Sequence, residues 1–91
     1  MLSMQDVKDM SQAERVYTML IANISMCPYN KLVSVEVINN SKVHAVVQNV
    51  HTLKLFNFNY KFYNQAQYVT DDFISLMEVE FPNIRVEERS E

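Results

Sequence analysis

The chain has no glycine and no tryptophan in 91 residues, and holds only two prolines and one cysteine. Average usage of about 7% would put about six glycines in a chain of this size. Without any, no loop can cradle a phosphate against bare backbone, so the P-loop and the dinucleotide-binding fingerprint are both excluded. Turns that need positive φ then fall to asparagine, the next residue to tolerate that region. A single cysteine excludes an internal disulfide, in keeping with a reducing compartment. No apolar run approaches the roughly 20 residues that a bilayer span requires, so no membrane partner is expected. The opening "MLSMQDVKDM" carries Asp6 and Asp9 where a secretory leader is basic and then apolar. The expected location is therefore the cytoplasm, or a host cell's cytoplasm if the chain comes from a virus.

What is present is ordinary material for a small core: 48% of residues are hydrophobic, with five phenylalanines and five tyrosines. Residues 1–91 read as one domain with frayed ends at about 1–4 and 88–91, since half this length could not bury enough surface alone. The net charge of −3 is unevenly spread. Residues 31–63 hold Lys31, Lys42, Lys54 and Lys61 against Glu36, whereas residues 64–91 hold seven acids against Arg85 and Arg89. A weakly basic middle followed by an acidic end makes a dipole able to steer a partner.

Periodicity divides the chain into elements. In "SQAERVYTMLIANISMC", Ser11 and Glu14 stand at capping-box spacing. Ala13, Val16, Tyr17, Leu20, Ile24 and Cys27 then recur at helical steps until Pro28. An earlier helix start at Ser3 would add Val7 and Met10 to the stripe. "KLVSVEVI" changes to period two, with Val33, Val35 and Val37 expected on one face, and "NNSK" is a hairpin turn built on asparagine. "VHAVVQNV" and "LKLFNFNYKFY" continue the alternation, the latter with Phe56, Phe58, Tyr60 and Phe62 on one face. Thr70 is the expected N-cap of a second helix, with Asp71 and Asp72 in its first turn and Phe73, Leu76, Met77 and Phe81 as its stripe. "NIRVEE" alternates as a short edge strand. The expected fold is an α+β, two-layer αβββα(β) domain: an antiparallel meander of three to four strands with two helices packed on one face.

Several residues invite a chemical reading. Cys27-Pro28-Tyr29 resembles the redox motif of the glutaredoxin family. In that family the cysteine begins a helix, which lowers its thiol pKa; here it ends a helical pattern, and Asn30 stands where the dithiol form has its second cysteine. A thiol enzyme at Cys27 is the weakest reading carried forward. His44 and His51 differ in strand parity, so at most one of them is expected to face the helix, and nothing in the spacing pairs either with that thiol. Neither histidine stands at metal-ligand spacing, and no metal or cofactor is expected. The acid pairs Asp71-Asp72 and Glu78/Glu80 read as helix-end charge, not as an acid–base couple. The order αβββα is similar to that of double-stranded-RNA-binding domains. That family, however, starts its second helix with basic residues, where this chain has Thr70-Asp71-Asp72.

Two binding readings remain. Lys54, Phe56, Phe58, Tyr60 and Lys61 interleave rings with cations, as on platforms for single-stranded nucleic acid, although burial of one sheet face also accounts for the rings. Asn57, Asn59, Tyr63 and Tyr68, with the acids Asp71 and Asp72, mix adaptable amides with tyrosines in the manner of protein-binding surfaces. The expected function is a non-enzymatic protein-binding module: a small inhibitor or adaptor, of a style found among virus- and mobile-element-encoded proteins, that covers a site on its partner. A homodimer through an exposed edge strand is a further expectation.

Overall fold

The computed structural model describes residues 12–91. In chain order it contains α1 (Gln12–Ser25), β1 (Asn30–Ile38), β2 (Lys42–Asn49), β3 (Leu55–Lys61), α2 (Gln67–Glu80) and β4 (Val86–Arg89). The α+β class read from periodicity is the one adopted, with two helices over one face of a four-stranded sheet. The proposed helix start at Ser3, the added stripe residues Val7 and Met10, and the Ser11 half of the capping box lie outside the described residues. Among the described residues no helix is long and apolar enough to cross a membrane.

β1, β2 and β3 form the expected antiparallel meander, with Val37 opposite Val43 and Val43 opposite Tyr60. The fourth strand departs from a pure meander. The sheet order is β3-β2-β1-β4, and β4 runs parallel to β1, with Val35 opposite Val86 and Ile38 opposite Arg89. α2 is the reason. It carries the chain from the β3 edge across the helical layer to the far edge, and a strand entered after such a crossover runs parallel to the one it left. β3 is itself parallel to β1, two antiparallel steps away.

A bulge corrects the expected inner face of β1. Leu32 pairs with Val47 but Ser34 pairs with Val46, so Val33 is the extra residue. Because strand side chains alternate, one added residue moves all that precede it to the other face. Leu32 is thereby buried beside Val35 and Val37, while Val33 is left 44% exposed. Had the alternation continued unbroken, the larger side chain of Leu32 would have faced water.

The helices cover the face that carries the ring residues. Ala13, Val16 and Leu20 of α1 and Val69, Phe73 and Met77 of α2 close over Val35, Val37, Val43, Ala45 and Val47. Phe62 and Phe73 meet edge to face, with centroids 5.8 Å apart. α2 begins at Gln67, with Ala66 as a cap that makes no side-chain hydrogen bond. This corrects the expectation for Thr70, Asp71 and Asp72. Thr70 ends the first turn and is buried, and both acids fall one turn later than the helix dipole favours.

Among the described residues three have positive φ: Asn39 at 55°, Asn40 at 53° and Leu53 at 63°. The two asparagines make the β1–β2 hairpin tip, as "NNSK" implied. Leu53 lies in the β2–β3 loop, where Asn49 dominates the hydrogen bonding. Asn49 Oδ1 accepts from the N–H groups of His51 (2.9 Å) and Thr52 (3.0 Å), and its carbonyl accepts from Leu53 N–H at 2.8 Å. The loop therefore holds Leu53 in a conformation that its Cβ disfavours.

Candidate functional site

The hairpin tip and the start of α2 are tied by their side chains. Thr70 Oγ1 donates to Asn40 Oδ1 at 2.7 Å, so the buried hydroxyl is satisfied. Asn40 Nδ2 donates to Gln67 Oε1 at 3.3 Å. Gln67 Nε2 in turn reaches Asp71 Oδ1 at 3.0 Å and Glu88 Oε1 at 2.9 Å. On the other side of the tip, Asn39 N–H donates to the Arg89 carbonyl at 2.8 Å, and Asn39 Oδ1 accepts from Glu91 N–H at 2.8 Å. Asparagine is thus more than a substitute for glycine here. Its side chains add tethers to the turn that glycine could not supply. Sequence reading identified the turn but not these tethers, because the partners of Asn40 are about 30 residues downstream.

Beside this cluster stand the two tyrosines read as binding residues. Tyr63 is 77% exposed and Tyr68 60% exposed. The Arg15 guanidinium lies 4.9 Å from the Tyr63 ring centroid and donates to the Lys61 carbonyl at 2.9 Å. Gln12 Oε1 accepts from the backbone N–H groups of Tyr63 and Asn64. Asn64 Nδ2 donates to the Tyr68 hydroxyl at 2.8 Å, which links the two rings through one loop. Asp72 does not join them. It lines a cleft of about 390 Å³ between the outer sides of the helices, with Glu14, Ser75, Leu76 and Val79.

Asn57 and Asn59 lie on the opposite side, on the sheet face that the helices leave open. A polar row crosses all four strands on that face. Arg89 Nη1 stands 3.5 Å from Glu36 Oε2, His44 Nδ1 is 3.2 Å from Glu36 Oε1, and His44 Nε2 is 2.9 Å from Asn57 Oδ1. The six residues read as one protein-binding surface are therefore distributed over three places: the tyrosine loop with Asp71, the outer helical cleft, and the open sheet face.

The residues read as a nucleic-acid platform are also divided. Phe58 and Tyr60 are half-buried against the core, and only Phe56, 42% exposed, reaches the rim of the helix-covered face. The Tyr60 hydroxyl accepts from Asn23 Nδ2 of α1 at 2.6 Å. Burial raises the Tyr60 pKa above its ordinary value of 10.0, while the Asn23 bond acts in the opposite sense. Tyr17 is raised too, by burial first and then by the charge and hydrogen bond of Glu80. Lys61 has the parity of Asn57 and Asn59 and so belongs to the other face of the strand from these rings.

Cys27 sits half-buried in the turn after α1, its Sγ 3.8 Å from Asn49 Nδ2. With Asn23, Met26, Phe56 and Phe58 it lines an apolar cleft of about 350 Å³. Neither histidine is its hydrogen-bond partner. The His51 ring packs edge-on against Tyr29, with centroids 4.0 Å apart, and His44 belongs to the open face. Comparison with protein-family models, with curated proteins and with solved structures gives no match to this chain.

Proposed function

We propose that this chain is a non-enzymatic protein-binding module, an inhibitor or adaptor that acts by covering a basic or polar site on a partner protein. The observation that carries the reading is the state of Tyr63 and Tyr68: largely exposed, yet each held by a neighbour, Arg15 under one ring and Asn64 on the other's hydroxyl. A large ring that is already positioned loses little side-chain freedom on binding, which is what an interface anchor requires. Asp71 beside them adds a negative charge suited to a cationic or hydrogen-bonding target. The reading extends to action in the cytoplasm, of a host cell where the chain is encoded by a virus or mobile element, and to pairing of copies through a strand edge.

The test is recovery of the partner from native lysate by the tagged protein, with and without nuclease and at two salt concentrations. The expected result is one protein recovered whether or not nuclease is present. Tyr63→Ala combined with Tyr68→Ala is expected to weaken its binding at least about 30-fold, each ring acting as an anchor worth about 1–2 kcal/mol. The melting temperature should change little, because both rings are exposed. Recovery of nucleic acid that is lost at high salt, and on Phe56→Ala, would replace this reading with single-strand binding.

A further inference from the structure

We infer that the edge of β3 turned away from β2 is a self-association surface, where two copies of this chain pair antiparallel about a twofold axis at Phe58. The inference rests on the edge-pairing part of the reading above and is independent of the tyrosine surface.

The phase of the backbone bonding comes first. Asn49 N–H donates to the Lys54 carbonyl at 3.0 Å, and Phe62 N–H donates to the Ser41 carbonyl at 2.7 Å. Antiparallel bonding alternates along a strand, so Phe56, Phe58 and Tyr60 also direct their N–H and C=O groups at β2. Leu55, Asn57, Asn59 and Lys61 therefore direct theirs away from the sheet. The Lys61 carbonyl is occupied by Arg15. Among the described residues, nothing pairs with the outward backbone groups of Asn57 and Asn59.

The two sheet edges also differ in how they are guarded. β4 is four residues long and reads Val-Glu-Glu-Arg, short and charged as protected edges are. β3 is seven residues long, and from Leu55 to Tyr60 it has no charge, no proline and no bulge. Leu55 and Phe56 are exposed along it.

The occupant follows from the order of residues in β3. "LFNFNYK" alternates rings with asparagines about its midpoint, Phe58, and so reads alike in both directions. In the antiparallel register centred there, Asn57 of one copy meets Asn59 of the other, and both have outward backbone groups. These become hydrogen-bonded pairs. Phe58 meets Phe58 and Phe56 meets Tyr60 at the intervening positions, where side chains approach most closely. Lys61 meets Leu55, so no like charges face each other. A slip of one residue would oppose outward groups to inward ones and rings to amides. A heterologous strand could use the same edge, but a second copy supplies this match of rings and amides on both sides of Phe58, up to the Lys61 carbonyl that Arg15 holds.

The decisive experiment is sedimentation equilibrium of the full chain with two proline variants. The wild type should show twice the 10.7 kDa chain mass. Asn57→Pro and Asn59→Pro remove outward donors without touching the bonds to β2, so both should be monomers with an unchanged circular dichroism spectrum. A second assay, in a Cys27→Ser background, compares Phe58→Cys with Asn57→Cys under mild oxidation. Phe58→Cys should cross-link to itself across the axis, and Asn57→Cys should not. A wild type that is monomeric throughout, a dimer that survives both prolines, or equal cross-linking at the two positions would overturn the inference. A monomer that still binds its partner leaves the tyrosine reading intact; a dimer that recovers no partner supports this inference while that reading fails.

Discussion

Leu53 offers a sharp test, because a chain without glycine has to place side chains where glycine is ordinarily preferred. Leu53 has φ of 63° and is 66% exposed. A Cβ in the left-handed region costs about 1–2 kcal/mol, and glycine's extra freedom in the unfolded chain offsets about 0.5–1 kcal/mol of what its introduction recovers. The informative comparison is Leu53→Gly against Leu53→Ala, since both delete the side chain beyond Cβ and differ only in Cβ itself. Glycine should be the more stable of the two by about 0.5–1 kcal/mol. For a domain of this size that corresponds to about 2–8 °C in melting temperature. Ser75, exposed in the middle of α2, supplies the opposite sign: there Ala should exceed Gly by about 1 kcal/mol. With no tryptophan in the chain, the assay is thermal melting followed by far-ultraviolet circular dichroism. A Leu53→Ala protein as stable as Leu53→Gly would show that the loop relaxes away from positive φ, and the reasoning would fail.

Asn40→Gly should behave oppositely although its φ of 53° suits glycine, because the buried Thr70 hydroxyl loses its acceptor at a cost of about 1–3 kcal/mol. Adding Thr70→Val should recover part of that loss in the same melts, and strictly additive effects of the two changes would show that the bond contributes nothing. Tyr17 and Tyr60, both raised above 10.0 by burial, should lose their protons later in the folded chain than in the unfolded one. Folding stability is then unaffected by them below pH 10.0 and falls as pH rises through their folded-state values. The phenolate absorbance removed by Tyr60→Phe should develop above pH 10.0, and its appearance at or below that pH would contradict the assignment.

Much of the fold was legible in the sequence because its elements follow local period. The α1 stripe of Ala13, Val16 and Leu20 and the ring alternation of β3 each needed only their own residues to be read. What was not legible depends on partners far along the chain. The bulge at Val33 is decided by whether Leu32 or Val33 finds Val47, and the direction of β4 by where α2 delivers the chain. Thr70 reads as a helix cap only while its actual acceptor, Asn40, is unseen. Strand parity and the turn of α2 place the residues nominated for binding on different faces.

The lack of glycine thus has a consequence beyond turn chemistry. Where the hairpin tip needs positive φ, the residues that supply it also carry amides: that of Asn40 reaches Thr70 and Gln67 of α2, and that of Asn39 accepts from Glu91 N–H beyond β4. Gln67 passes the linkage to Asp71, and Tyr68 stands beside it on the same helical turn. The tip therefore fastens the start of α2, the helical turn that carries Tyr68 and leads to Asp71. A glycine there would keep the turn and lose these side-chain bonds, which gives a physical reason for asparagine at both positions that steric tolerance alone does not supply.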